Sequence, residues 1–440
     1  MKSPRQCAFD ILLKIHKDGA YSNIVLDSAL ESYNLNSVDR AFVSALVYGS
    51  VERSITIDYQ IELYLTQPIS KLKPQVLIAL RMGAYQILFM DKIPDSAAVN
   101  ESVKLVKNNG CSFAAGLVNA VLRKIASNSV VLPEKKGLYY YSIKYSCPKW
   151  LIKLWKDCYG EENAVSIAKA SLGAVDTVLR VNTLKTTAKE LCDMLTSQGI
   201  NCEIAEFDEN AVILKKAGSL KALKAYEDGL FHVQDVASQF CCKALDAKPG
   251  ETVIDICSAP GGKSFTLAQY MKNEGKIISC DIYEGRLGLI NNGAERLGIN
   301  IIDTLFNDGS VHNKAMPMAD KILCDVPCGG LGVIRRKPEI RFKNPAEVDK
   351  LSEIQYSILK TSADYLKKGG VLVYSTCSLN SEENEKVVTR FINENSEFEF
   401  IKVLPDVERY GEDTDYLTLM PHIHNSDGFF VCAIRRRIDS

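Results

Sequence analysis

Apolar positions recur at helical spacing through the first stretch of the chain and give way, further on, to short runs bounded by turns. Between residues 4 and 126 the sets Ala8, Ile11, Leu12 and Ile15, then Phe42, Leu46 and Val47, then Val76, Leu80, Ala84, Ile87 and Leu88 repeat with that period. One apolar stripe per segment lets a helix bury a single face. Pro68, Pro74 and Pro94 punctuate the segments, and Asp39 and Ser96 stand where N-caps are expected. The pattern predicts an all-α domain over 1–126, of about six or seven helices.

A looser stretch, Ser127 to Pro133, follows, and Trp150, Leu151, Leu154 and Trp155 mark another helix starting near Pro148. From Val178 the period shortens: Val178 to Val181, Asn201 to Ala205 and Ala211 to Leu214 read as strands, and Ala188 to Gln198 as a helix. Residues 127–234 are therefore expected to hold linker helices and a small α+β subdomain.

Beyond Asp235 strand and helix alternate. Thr252 to Ile256, Lys276 to Ile282, Ile301 to Phe306, Asp320 to Cys324, Val371 to Tyr374, Phe398 to Val403 and Phe429 to Arg435 read as strands. Helices are expected at Ser264 to Lys272, Leu287 to Leu297 and Glu382 to Asn393. Such alternation predicts a mostly parallel sheet with helices on both faces, an α/β Rossmann-like domain over 235–440.

Composition narrows the classes. A length of 440 residues exceeds one ordinary core. No apolar run approaches the roughly 20 residues that cross a bilayer, and Met1 to Arg5 lead into a helical pattern and not a signal peptide, so a cytoplasmic protein without membrane partners is expected. The formal net charge of −1 excludes a protein that coats nucleic acid by bulk charge. A local basic face remains open at Arg335, Arg336, Lys337, Arg341 and Lys343; the alternative there is a solvated loop. The 14 cysteines show no Cys-x-x-Cys pair, and Cys7, Cys192, Cys241, Cys242 and Cys432 sit among apolar neighbours as core residues do. No metal site is expected, His422 and His424 included.

Three ligands suit the strand, glycine turn and helix around Cys257-Ser258-Ala259-Pro260-Gly261-Gly262-Lys263. A dinucleotide fingerprint requires a glycine spacing that is missing here. A phosphate loop ends as Gly262-Lys263-Ser264 does, but its first glycine is Cys257. S-adenosylmethionine carries no phosphate and calls for carboxylates at strand ends. Asp281 is placed for ribose hydroxyls, Asp308 for an adenine amine, and Asp325 ends the next strand.

Cys328, in Asp325-Val326-Pro327-Cys328-Gly329-Gly330, and Cys377, in Tyr374-Ser375-Thr376-Cys377-Ser378, each follow a predicted strand and project from its carboxyl end. Cys377 precedes a predicted helix, whose N-terminus favours a thiolate. Carbon 5 of cytosine is a poor nucleophile until another nucleophile adds at carbon 6, and a thiolate can add and then leave.

The segments 325–342, 375–378 and 255–263 resemble the RNA cytosine-C5 methyltransferases. The helical stretch, with Asp39-Arg40-Ala41-Phe42-Val43 and Phe113 to Arg123, looks like a NusB-type RNA-binding domain. The resemblance covers essentially the whole chain and implies an enzyme that methylates a specific cytosine of small-subunit ribosomal RNA through a covalent cysteine–C6 adduct. By the same resemblance Cys377 is the nucleophile, Cys328 assists release, Asp325 contacts the flipped cytosine, Cys257 to Lys263, Asp281, Asp308 and Asp325 hold S-adenosylmethionine, and the helical domain supplies RNA affinity. Arg335, Arg336 and Arg341 are the RNA-contact candidates, and a monomer is expected. Two positions depart from the family pattern: Gly329 replaces a common serine and Ser146 a frequent histidine. Competing functions are exocyclic-amine methylation, which the Asp325-Val326-Pro327-Cys328 loop fits poorly, a non-enzymatic RNA-binding antitermination or assembly factor, and a nucleotide triphosphatase.

Overall fold

The computed structural model describes residues 2–18, 22–33, 35–173, 175–206, 208–215, 220–403 and 415–439. It forms two compact units, Met1–Gly173 with Ile334–Lys343, and Ala174–Val333 with Asn344–Ser440. The segment 127–234 is thus divided. Its helices Leu138–Tyr145, Lys149–Tyr159 and Glu161–Ala170 fall in the helical unit, and its strands in the other.

Within 4–126 the described residues hold the α-helices Pro4–Asp18, Ser22–Ser32, Ser37–Glu52, Ser54–Glu62, Pro74–Phe89, Asp95–Asn108 and Ala115–Ala126. The predicted stripes, Ile11, Leu12, Ile15, Leu46, Val47, Val76 and Leu80, meet in one apolar core. The expected caps are displaced. Asn36 caps Ser37–Glu52, its side chain accepting from the Asp39 N–H, and Ser96 lies inside a helix that begins at Asp95 after Pro94. Asp39 still stands in the first turn, where a negative charge suits the helix dipole.

The second unit carries a small antiparallel sheet of β1 (Thr177–Val181), β2 (Cys202–Ile204), β3 (Ala211–Leu214) and β4 (Phe231–Val233), in the order β2-β3-β1-β4. The helix Ala188–Ser197 packs on it, opened by a Thr187/Glu190 capping box.

The large sheet follows: β5 (Thr252–Asp255), β6 (Lys276–Asp281), β7 (Ile302–Phe306), β8 (Ala319–Asp325), β9 (Leu366–Thr376), β10 (Phe398–Ile401), β11 (Tyr416–Leu419) and β12 (Phe429–Arg436). Its order is β10-β12-β9-β8-β5-β6-β7, with β11 also on β12. Strands β5 to β9 run parallel; β10, β11 and β12 pair antiparallel, so the sheet is mixed. Alternate residues enter opposite cores. Val253, Ile277, Leu323 and Val373 meet the helices Val236–Leu245 and Gly262–Tyr270 on one face. Ile254, Ile278, Ile322 and Leu372 meet Leu351–Asp364 and Glu385–Glu394 on the other. The helices expected on both faces are present, and the expected multidomain architecture stands: an all-α N-terminal part, a small α+β insert and an α/β domain.

Candidate active site

The strand order turns back at β5, with β6 and β7 to one side and β8 and β9 to the other. At such a switch point the carboxyl ends of neighbouring strands part and leave a crevice. A cleft of about 220 Å³ lies there, with Asp255 from β5 and Asp325 from β8 in its lining.

Cys257, Ser258, Ala259, Pro260, Gly262 and Lys263 line the same cleft. The turn is tied to β6, because the Ser258 N–H and Oγ both donate to the Cys280 carbonyl, at 2.7 and 2.9 Å. Gly261 has φ 103°, and a Cβ there would meet the Phe265 ring at 2.6 Å, so both backbone conformation and space select glycine. Burial pushes the Cys257 thiol well above its ordinary range.

Lys263 and Asp325 form an ion pair of 2.6 Å, and the other Asp325 oxygen accepts from Ser375 Oγ at 2.8 Å. Cys241 Sγ donates to Ser375 Oγ at 3.2 Å, and burial pushes its thiol up to about 12. Burial alone would lower Lys263, but the Asp325 carboxylate outweighs it and the ammonium is held above its ordinary range. The Lys263 Nζ also stands 5.5 Å from the Phe429 ring centre. Ser264 is fully buried; its Oγ donates to Asp255 Oδ2 at 2.6 Å and lies 2.7 Å from Ser279 Oγ. With the lysine paired to Asp325 and the serine buried on Asp255, the phosphate-loop alternative loses the two side chains that would hold a nucleotide and its metal.

Asp281 is 4% exposed at the end of β6, with one oxygen accepting from the Tyr283 N–H at 2.9 Å and the other 3.3 Å from Arg286. Asp308 follows β7, and its Oδ1 takes the Ser310 N–H and hydroxyl at 2.9 and 2.6 Å. Gly261, Asp281 and Asp308 lie outside the lining of the cleft described above.

The two cysteines at the ends of the adjacent strands β8 and β9 meet. Their sulfurs are 2.9 Å apart, and each side chain is partly exposed. The Cys328 loop is stitched to β9 and the turn after it, with the Val326 N–H on the Ser375 carbonyl at 3.1 Å and the Gly332 N–H on the Cys377 carbonyl at 3.0 Å. Gly332 must be glycine because a Cβ would fall 1.9 Å from the Gly428 carbonyl oxygen. The hydrogen bond with Cys377, burial, and then the charges of Cys377, Glu383 and Asp325 hold Cys328 well above the ordinary thiol range.

Sequence reasoning missed several residues of this site. Asp255 is 1% exposed and its Oδ1 has no hydrogen-bond partner; burial raises its carboxyl to about 7 against the pull of Ser264 and Lys263. Gln234 and Asp235 reach the cleft from outside the strand–turn–helix motif. Asp255 had a signal, an acid ending an apolar strand. Gln234 and Asp235 had none.

Of the basic candidates, Arg341 needs correction. Its side chain is 2% exposed and lies in the helical unit, where it donates to the carbonyls of Ser146 at 3.0 Å and Ser171 at 2.8 Å. A guanidinium committed to buried carbonyls cannot meet phosphate, so Arg341 is structural. Arg335 and Arg336 are half-buried in the same unit. The described residues hold no group of three or more His, Cys, Asp or Glu side chains able to bind a metal, and no helix among them is long and apolar enough to cross a membrane.

Comparison with known proteins places this arrangement. The NusB family profile matches residues 2–127, a ferredoxin-like domain of RsmF/B-type methyltransferases matches 147–221, and the profile described as 16S rRNA methyltransferase RsmB/F matches 242–435. The chain is 38% identical over 444 aligned residues to the probable ribosomal RNA small subunit methyltransferase B of Bacillus subtilis, covering 99% of each. It is 33% identical to a Synechocystis protein of the same description, over 99% of this chain and 100% of that one. Among solved structures, the protein titled PH0851 superposes with a TM-score of 0.85 at 26% identity over 99% of both chains. A glycine turn at the cleft, two apposed thiols and full-length likeness at this level agree: the chain belongs to the 16S rRNA methyltransferase RsmB/F family.

Proposed function

We propose that this protein methylates carbon 5 of a cytosine in small-subunit ribosomal RNA, with S-adenosylmethionine as donor and a transient bond between Cys377 and carbon 6. The observation that carries the reading is the 2.9 Å approach of the Cys328 and Cys377 sulfurs at adjacent strand ends, beside the Lys263–Asp325 pair. The donor presents its methyl on a sulfonium. Residues of the cleft suit it: the unpartnered Asp255 oxygen offers an acceptor for a positively charged group and the Ser258 to Gly262 turn allows close backbone approach. Outside that lining, Asp281 closes β6 where ribose hydroxyls would seek an acceptor.

On the RNA side, the Cys377 thiolate adds to carbon 6, which makes carbon 5 nucleophilic. Asp325, held by Lys263 and Ser375, faces the base and steadies its polar edge. After methyl transfer the proton on carbon 5 passes to a base, the Cys328 thiolate or water, its electron pair re-forms the C5–C6 double bond, and the Cys377–C6 bond breaks to return the sulfur to the thiolate. Cys328, next to that sulfur, assists the elimination. The target base must leave its stack to reach both groups, so an unpaired or loop cytosine is the substrate. RNA affinity comes from the helical unit, with Arg335 and Arg336 as contact candidates.

Incubation of the purified protein with S-adenosylmethionine and 16S transcript, followed by bisulfite sequencing, tests the reading. One protected cytosine is expected. Methyl incorporation without a protected cytosine would move the methyl to another atom.

A further inference from the structure

Glu383 is fully buried, yet it is held by four uncharged donors. Oε2 accepts from the Gly329 N–H at 2.6 Å and from Gln355 Nε2 at 3.0 Å. Oε1 accepts from Ser378 Oγ at 2.5 Å and Asn380 Nδ2 at 3.2 Å. Taking a carboxylate out of water is costly unless its lone pairs are filled, and here all the available directions are used.

The donors are not scattered. Gly329 follows Cys328 directly, and Ser378 follows Cys377 directly. Gln355 also donates to the Pro327 carbonyl at 3.0 Å, gripping the Cys328 loop on its other side. Two oxygens of one carboxylate therefore grip the two loops that carry the sulfurs. We infer that Glu383 is the positioning residue of the cysteine pair, its carboxylate fixing the Cys328 loop to the Cys377 loop so that the sulfur that adds and the sulfur that assists release face the same carbon–carbon bond.

Gly329 bears on the same clamp. A Cβ at that position would stand 2.8 Å from Glu383 Oε1 and 3.1 Å from Val348, so glycine lets the N–H come close to the carboxylate. The charge of Glu383 also raises the Cys328 thiol, behind the hydrogen bond to Cys377, burial and the charge of Cys377.

The inference rests on the two thiols being the reactive pair, and its test separates the two claims because its first readout needs neither RNA nor donor. Diamide takes up the two thiol hydrogens as the sulfurs join, and peptide mapping by mass spectrometry follows the Cys328–Cys377 bond in the full-length protein. Glu383→Met keeps the bulk and removes both acceptors. It should slow this crosslink at least tenfold while Cys432, buried in the sheet, stays protected from alkylation. Glu383→Gln retains one carbonyl oxygen for Gly329 and should fall between, at least threefold slower than wild type. In RNA turnover the same order is expected in the fraction of protein caught as adduct, with KM little changed and kcat reduced. Crosslinking at the wild-type rate in folded Glu383→Met overturns the inference; if that variant does not fold, a wild-type rate in Glu383→Gln overturns it. A slowed crosslink in a protein that never methylates RNA would keep the clamp and reject the proposed function.

Discussion

In the helical unit the Arg341 guanidinium ends on the backbone carbonyls of Ser146 and Ser171; in the α/β unit the Lys263 ammonium ends on Asp325 at the wall of a cleft. Both cations are largely removed from water. Arg341 is 2% exposed and each of its three nitrogens donates to a protein oxygen, so its bonds close a gap between helices and the segment that follows residue 333. Around Lys263 the filling is incomplete, because Asp255 keeps an oxygen without a partner and two sulfurs face each other beside the pair. Burial alone does not mark function. Burial with capacity left over at a strand's carboxyl end does.

The sharpest way to break this comparison is at the sulfurs. Cys377→Ala should lower methylation by about a thousandfold or more and give no covalent complex. Cys328→Ala should allow addition and transfer but stall release, so that a slow-migrating protein–RNA complex accumulates on denaturing gels. An adduct in Cys377→Ala would reverse the two roles.

Arg341→Met tests the other pole. It should leave affinity for S-adenosylmethionine unchanged and destabilise the helical unit by about 2–4 kcal/mol, since buried carbonyls lose their donors. Urea unfolding followed by circular dichroism measures this. Weakened RNA binding at unchanged stability would instead put Arg341 back among the RNA contacts.

Asp281→Ala should weaken S-adenosylmethionine by about 1–3 kcal/mol in calorimetry, through loss of an acceptor that is 4% exposed. Unchanged affinity would mean that the ribose is held elsewhere.

The last test is pH dependence. Asp255 is held up to about 7 from its ordinary 3.8, chiefly by burial, so the folded state binds a proton that the unfolded state has released. Its contribution to stability is full below pH 3.8 and is lost as pH rises through 7. The slope is at most about 1.4 kcal/mol per pH unit. His232, lowered to about 3 by burial, acts in the opposite sense below 6.5, so the two overlap in the wild type. The difference between wild type and Asp255→Asn isolates the carboxyl: the gap should widen in favour of the asparagine from pH 4 to 7. A flat difference would mean that Asp255 ionises normally and that the cleft is wetter than its burial implies.

Local pattern carried most of the architecture. Helical spacing and short apolar runs placed the helical unit and nearly every strand of the large sheet, because burial of one helix face or of a whole strand is written residue by residue. Strands β4 and β11 escaped, being only three and four residues long, and the caps shifted because Asn36, not Asp39, takes the free N–H.

The chain by itself determined which chemistry is available: two thiols, each after an apolar strand, and a glycine turn with acids at strand ends. Tertiary structure alone decided that Cys328 and Cys377 touch, that Asp325 is shared between Lys263 and Ser375, that Glu383 joins both cysteine loops, and that Arg341 is structural. Each of these depends on partners distant in sequence, and whether a charged side chain faces water, a carbonyl or a cleft is set only when the sheet order and the packed helices bring those partners together.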